Sequence, residues 1–236
     1  MKNPWLRTPA QPPFIQPLDE EPLRERYPYR DTEKMLHLEC LPEPFQGRVD
    51  APIVVLGLKP GFHPGDPAAH GDPVFAEAAR RSLAHEPLPY PVYLLDPRFA
   101  ATPGGQYYRE ALKALAGELG AGPGDLDHPA WKAIANEVLF VSFFPYHSVE
   151  TKLHQTPVTS QMYGFHLARA AIARSALILA VLGKTWWSRA VPEIASAARV
   201  FNARNMRSWT LSANNVPGGF EEAVLHLRDY LAAQRA

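Results

Sequence analysis

Lys59 lies in the stretch IVVLGLKPGFHPGD, at the neck between a continuous apolar run and a loop built of proline and glycine. A charge at the end of a buried strand is costly unless it has a partner or a task. The fifteen residues that follow, KPGFHPGDPAAHGDP, join prolines to small residues that let a ligand approach the backbone closely. A loop of this length and composition directly after a buried strand reads as a site rather than a connector. Phe62, Phe75 and Tyr90 are candidates for stacking on a flat ligand, with ordinary packing as the alternative role of each.

A second loop, FFPYHS, gathers Phe144, Tyr146 and His147 at the end of another apolar run. A phosphate pocket needs few rings, whereas a flat heterocycle gains about 1–3 kcal/mol per base from aromatic stacking. His147 has two open readings, a catalytic imidazole or a turn histidine bonded to backbone. A third loop, RNMRSWTLSANNVPGG, is rich in amides and hydroxyls and opens the final helix. Free backbone donors at a helix start attract anions such as phosphate, which makes Ser212, Asn214 and Asn215 candidate phosphate ligands. Capping by Ser212 or Asn215 is the plainer role. From Lys184 to Arg207 there are five basic residues, including Arg204, against the single acid Glu193. That local patch is hidden in a chain whose 24 basic and 24 acidic side chains cancel.

Several chemistries are not supported. Gly183-Lys184-Thr185 looks like the end of a phosphate-binding P-loop, but the glycine required five positions earlier is Ile178. His63 and His70, or His147 and His154, form no recognisable metal-ligand spacing, so no metal is expected. No Gly-x-Ser-x-Gly elbow is present. Cys40 is the only cysteine, which excludes an internal disulfide and a cysteine-built metal or iron–sulfur centre. The longest aliphatic run, residues 176–182, is far short of the roughly 20 residues that span a bilayer. A soluble, unexported protein of the reducing cytoplasm is the expectation, with no membrane partner.

These loops need elements to hold them. Residues 1–50 contain 9 of the 25 prolines and read as an arm packed over a domain, with one short helix near 31–41. From residue 51 to 236, continuous apolar runs alternate with stretches of helical period. The runs at 52–58, 137–144, 175–182 and 199–203 predict strands buried on both faces. Helices are expected at 73–85, 105–119, 128–136, 159–174, 187–197 and 218–234; in the second, Tyr108, Ala111, Leu112, Leu115 and Leu119 recur at helical spacing. Alternating strands and helices imply an α/β fold, a three-layer α/β/α sandwich around a central four-stranded parallel sheet. Ligands of such sheets sit at the carboxyl ends of the strands, where the loops above emerge.

Taken in order, these segments resemble the uracil-DNA glycosylase superfamily over about residues 50–235. Gly57-Leu58-Lys59-Pro60-Gly61 is similar to that family's first motif, Gly-x-(Asp/Asn/Glu)-Pro-(Gly/Tyr/Ser), except at Lys59. The segment from Ala69-His70-Gly71 to Phe75 resembles the one that carries the base-stacking phenylalanine. Val138 to Ser142 resembles the strand that ends in a base-reading asparagine, here Ser142. Leu179 to Lys184 is similar to a strand ending in Gly-Lys, and the loop from Ser208 to Asn215 occupies the place of the second motif, without its usual His-Pro-Ser or Asn-Pro-Ser.

The resemblance implies excision of a deaminated or damaged base from DNA by N-glycosidic cleavage. The base-binding set would be Gly57, Pro60, Gly61, Phe62, Phe75, Ser142, Phe144, Tyr146 and His147; Lys184, Arg204, Arg207, Ser212, Asn214 and Asn215 would face phosphate. The flipped base enters a pocket that reads its edge, a carboxylate or amide places the water, and donors receive the departing base. Lys59 replaces that carboxylate. A neutral Lys59 could attack the sugar carbon and form a Schiff base, or Asp66 or Asp72 could place the water with Lys59 paired to it or gripping phosphate. Otherwise the fold is kept and the reaction lost or changed. The partner expected is DNA, single-stranded or mismatched, or a nucleobase-containing ligand, bound by a monomer without a cofactor. A non-catalytic nucleic-acid or nucleotide binding module, and an enzyme acting on a small nucleoside or sugar phosphate, are the alternatives.

Overall fold

The computed structural model describes residues 1–26, 36–149, 157–205 and 207–235. Its centre is a five-stranded mixed sheet. Strands β2 (Ile53–Gly57), β3 (Val138–Ser142), β4 (Leu177–Ala180) and β5 (Val200–Asn202) run parallel, and β1 (Phe45–Gln46) adds an antiparallel edge, giving the order β1-β3-β2-β4-β5. The expected four-stranded parallel sheet is corrected by β1. This short strand comes from the proline-rich arm, where Phe45 and Gln46 pair with Val141 and Phe140. Gln46 escapes the limits that proline sets on pairing because Pro42 and Pro44 lie just before it.

Among the described residues there are eight α-helices: α1 (Glu20–Arg26), α2 (Asp66–Gly71), α3 (Pro73–Leu83), α4 (Pro103–Glu118), α5 (Pro129–Glu137), α6 (Gln161–Ala173), α7 (Lys184–Ala190) and α8 (Gly219–Ala233). Three of them, α3, α4 and α5, start with proline directly after a capping side chain, Asp72, Thr102 or His128. Proline suits that first position because its missing N–H would have no helical acceptor there. The helix expected at 187–197 instead begins at Lys184 and stops before Pro192, where a 3-10 turn takes over. The expected arm helix near 31–41 falls partly outside the described residues; from Leu36 on, the chain forms a bridge to Ser148 and a turn.

Alternate strand residues feed two cores, one on each face of the sheet. Ile53, Val55, Val138, Phe140, Leu177 and Leu179 pack with α4, α5 and α8; Val54, Leu56, Leu139, Val141 and Ile178 pack with α6 and Trp187. The two-residue period of a strand dictates this division. The arm contributes to both cores: Phe14 and Leu41 enter the first, Trp5, Ile15, Leu23 and Phe45 the second. No described helix is long and apolar enough to cross a membrane.

Candidate functional site

The carboxyl end of β2 sits between β3 and β4, and its backbone is held from both sides. Phe143 and Phe144 donate their N–H groups to the Gly57 and Leu58 carbonyls, and the Trp187 indole N–H donates to Gly57 O at 2.8 Å. Above Gly57 lies Trp209: a Cβ added to Gly57 would fall 2.5 Å from its ring. Only glycine lets the indole sit there. Trp209 packs nearly parallel to the exposed Tyr107, 6.5 Å between centroids and 18° between planes, and leans on Phe140 and Tyr108.

Beyond β2 and β3 the two loops are tied together and the arm is laid beside them. The arm continues the antiparallel pairing of β1: Glu43 N–H donates to Pro145 O and His37 N–H to His147 O. Lys59 Nζ donates to Ser148 O at 2.5 Å, and the His147 ring to Gly61 O at 2.9 Å. The arm therefore places Glu43 against His147, with 3.7 Å between Oε1 and Nε2. His70, at the end of α2, completes the group, its ring 4.9 Å from that of His147 and nearly perpendicular to it. One ligand-type atom from each of Glu43, His70 and His147 lies within 4.8 Å of the others, and all three residues are buried.

The hydrogen bonds fix the protons of this group. His147 Nδ1 faces a carbonyl and donates its hydrogen to it, while Nε2, buried and without a hydrogen-bond partner, lies toward Glu43. His70 is the reverse: Leu41 N–H donates to its Nδ1 at 3.0 Å, so its hydrogen is on Nε2. Burial, reinforced by His147, pushes the His70 pKa down to about 2. Tyr93 Oη and Gln46 Nε2 donate to Glu43, yet burial still holds its carboxyl above the usual range, with Asp66 adding like charge. The Cys40 thiol nearby is raised further, first by burial and then by Glu39, Asp66 and Glu43.

The structure separates the residues that the sequence had grouped as base-binding. Gly57, Pro60, Gly61, Ser142 and His147 lie at the β2 and β3 ends, beside Lys59, the expected catalytic residue; Ser142 stands opposite Gly57 in register and is half-buried. Phe62 is half-buried and stacks on His37. Phe75, Phe144 and Tyr146 are corrected: they are core residues. Phe75 packs edge-on against His70, Tyr93 and Phe99, and Phe144 is fully buried beside Tyr146. Tyr146 donates to Asp19 at 2.7 Å and accepts from Gln16 N–H, tying the arm down. Asp66 is buried in the first turn of α2 and accepts His63 N–H at 2.7 Å; Asp72 caps α3 through Val74 and Phe75 N–H.

On the β4 and β5 side, Lys184, Arg204, Arg207 and Asn214 are exposed. Asn215 is buried and structural: it accepts from Asn205 N–H and donates to Ser208 O and Thr210 O, knotting the loop below Trp209, while Ser212 accepts from Asn215 N–H. Glu43 was missed by sequence reasoning, as was the pair formed by the exposed Tyr107 ring and the half-buried Trp209. An acid wedged between two prolines and flanked by Leu41 and Phe45 was the available signal for Glu43. Compared with protein-family models, with curated proteins and with solved structures, the chain finds no match in any of the three.

Proposed function

We propose that the protein binds nucleobase-containing ligands, with single-stranded or mismatched DNA as the polymer, and cleaves the N-glycosidic bond of a deaminated or damaged base in the manner of a uracil-DNA glycosylase. The observation that carries this reading is the convergence on one sheet edge of a ring pair, the exposed Tyr107 and the half-buried Trp209, with the exposed cations Lys184, Arg204 and Arg207. Stacked rings suit unpaired bases, and a basic rim suits the phosphates that flank them. Glycosidic cleavage builds positive charge on the sugar and negative charge on the base. In this reading the Lys59 ammonium receives the departing base. The buried carboxylate of Asp66, in the same loop, favours the positive sugar.

Oligonucleotides carrying uracil, hypoxanthine or xanthine, single-stranded and mispaired, incubated with stoichiometric protein, are expected to yield an alkali-labile abasic product from at least one. Absence of product from every substrate rejects the glycosylase reading. Borohydride trapping of a protein–DNA adduct that disappears in Lys59→Ala would assign the amine as nucleophile; turnover without an adduct assigns water. A binding module without catalysis is favoured by one specific observation, that Asp66 and Asp72 both have a carboxylate oxygen engaged by backbone N–H. Salt-sensitive oligonucleotide binding without turnover would select it.

A further inference from the structure

Glu43, His70 and His147 arrive from three separate parts of the chain, the arm, the end of α2 and the loop after β3, and converge within 4.8 Å. We propose that these three side chains hold one divalent transition-metal ion of the zinc class. Two imidazoles and one carboxylate form a borderline donor set that suits zinc, cobalt or ferrous iron, whereas magnesium and calcium select oxygen-only sites. The 3.7 Å between His147 Nε2 and Glu43 Oε1 is a few tenths of an ångström wider than the about 3.3 Å between donors around a tetrahedral zinc with bonds near 2.0–2.1 Å.

Two independent features point to a cation. His147, only 5% exposed, aims a buried Nε2 with no hydrogen-bond partner into the cluster. Its Nδ1–H is spent on the Gly61 carbonyl, the outer-shell bond that fixes the tautomer and orientation of a metal-bound histidine. The second feature is the acid itself: Glu43 is buried, and the one ionic neighbour it has among the described residues is the His147 ring, 3.7 Å away. A divalent ion would offset that buried carboxylate. Tyr93 and Gln46 already orient the Glu43 carboxylate and leave it further lone pairs.

His70 is the costly ligand. Its Nδ1 accepts from Leu41 N–H, so ligation through Nε2 requires the ring hydrogen to move to Nδ1 and the Leu41 amide to turn away. The three ligands are therefore unequal, and His70 is expected to contribute least to affinity. Glu43→Gln and His147→Gln are expected to weaken binding by about 100-fold or more, and His70→Gln or the outer-shell change Tyr93→Phe by about tenfold.

The full chain, treated with chelator and freed of it, is titrated with zinc in a calorimeter and with cobalt in a spectrophotometer, in the absence of nucleic acid. One equivalent of saturable binding, visible cobalt absorption bands and a melting temperature that rises with metal are expected. Lack of one-to-one binding, or unchanged affinity in the double variant E43Q/H147Q, overturns the assignment. Should that variant not fold, X-ray absorption of the zinc-loaded wild-type protein decides: a shell with two imidazoles supports the site and a shell without imidazole scattering overturns it. Neither readout depends on base excision, so this site and the glycosylase reading stand or fall separately.

Discussion

The sheet edge has two halves of opposite character. At the ends of β2 and β3, the loops and the arm lock into one another: Lys59 holds Ser148, His147 holds Gly61, and the arm bonds to Pro145 and His147. At the ends of β4 and β5, the long side chains of Lys184, Arg204 and Arg207 stand in solvent over a loop whose ties include the Asn215 side chain. The first half is built like an interior and suits fixed, low-dielectric chemistry; the second is built like a polyelectrolyte docking rim. Affinity and chemistry are thus assigned to different strands of one sheet, and substitutions can separate them.

The largest expected effect is on the sealed half. Phe144→Ala removes a fully buried ring and should cost about 3–5 kcal/mol in denaturant unfolding, without a specific change in the salt dependence of binding. Tyr146→Phe deletes the hydroxyl shared by Asp19 and Gln16 N–H and should cost about 1–3 kcal/mol; a loss below the error of the measurement would show that the arm is not held there. Asn215→Ala tests the exception on the open half. Loss of its three backbone bonds should destabilise the protein by about 1–3 kcal/mol and should weaken oligonucleotide binding as Trp209 loses its support.

The open half predicts the reverse pattern. The triple change of Lys184, Arg204 and Arg207 to alanine should move stability by less than about 0.5 kcal/mol per site. It should reduce the slope of log affinity against log salt for single strands by about 2, since each phosphate contact contributes about 0.7. An unchanged slope would remove these cations from the binding surface. The last prediction concerns pH. Burial pushes His85 down from 6.5 to about 4, and its Nε2 bonds to Tyr163 Oη at 2.9 Å. Below pH 6.5 the unfolded chain takes up a proton that the folded one declines until about pH 4, so stability falls as the pH drops through that window. His85→Asn, which tolerates the left-handed φ of 57° at this position, should flatten that part of the curve relative to wild type.

Much of the scaffold was readable because it depends on local rules. Four continuous apolar runs became the four parallel strands, and helical spacing located α3, α4, α5, α6 and α8 to within a few residues. What could not be read was contact across long separations. Tyr146 looked like a ligand ring, yet its partner is Asp19; Phe62 looked open, yet His37 covers it; His147 had no visible acid, yet Glu43 is brought to it by two residues of edge strand. The short helix α2 was lost in a loop reading because Gly65, Pro67 and Gly71 surround it, although proline in a first turn is no obstacle. In each case the decisive neighbour came from the arm or from a loop whose path composition does not encode.

The arm's anchorage has a consequence in time. Asp19 accepts both the N–H and the hydroxyl of Ser160, and Trp5 packs on Tyr146, so the earliest residues are clasped by some of the later ones. During synthesis at about 5–20 residues per second, the 141 positions between Asp19 and Ser160 amount to a wait on the order of ten seconds. Until then Trp5, Ile15 and Leu23, all buried in the finished fold, lack part of the core they pack into, which includes Phe165, Leu167 and Trp187. Closing of the clasp therefore waits on the Ser160 end of the chain, which ties docking of the arm to completion of the core beneath it.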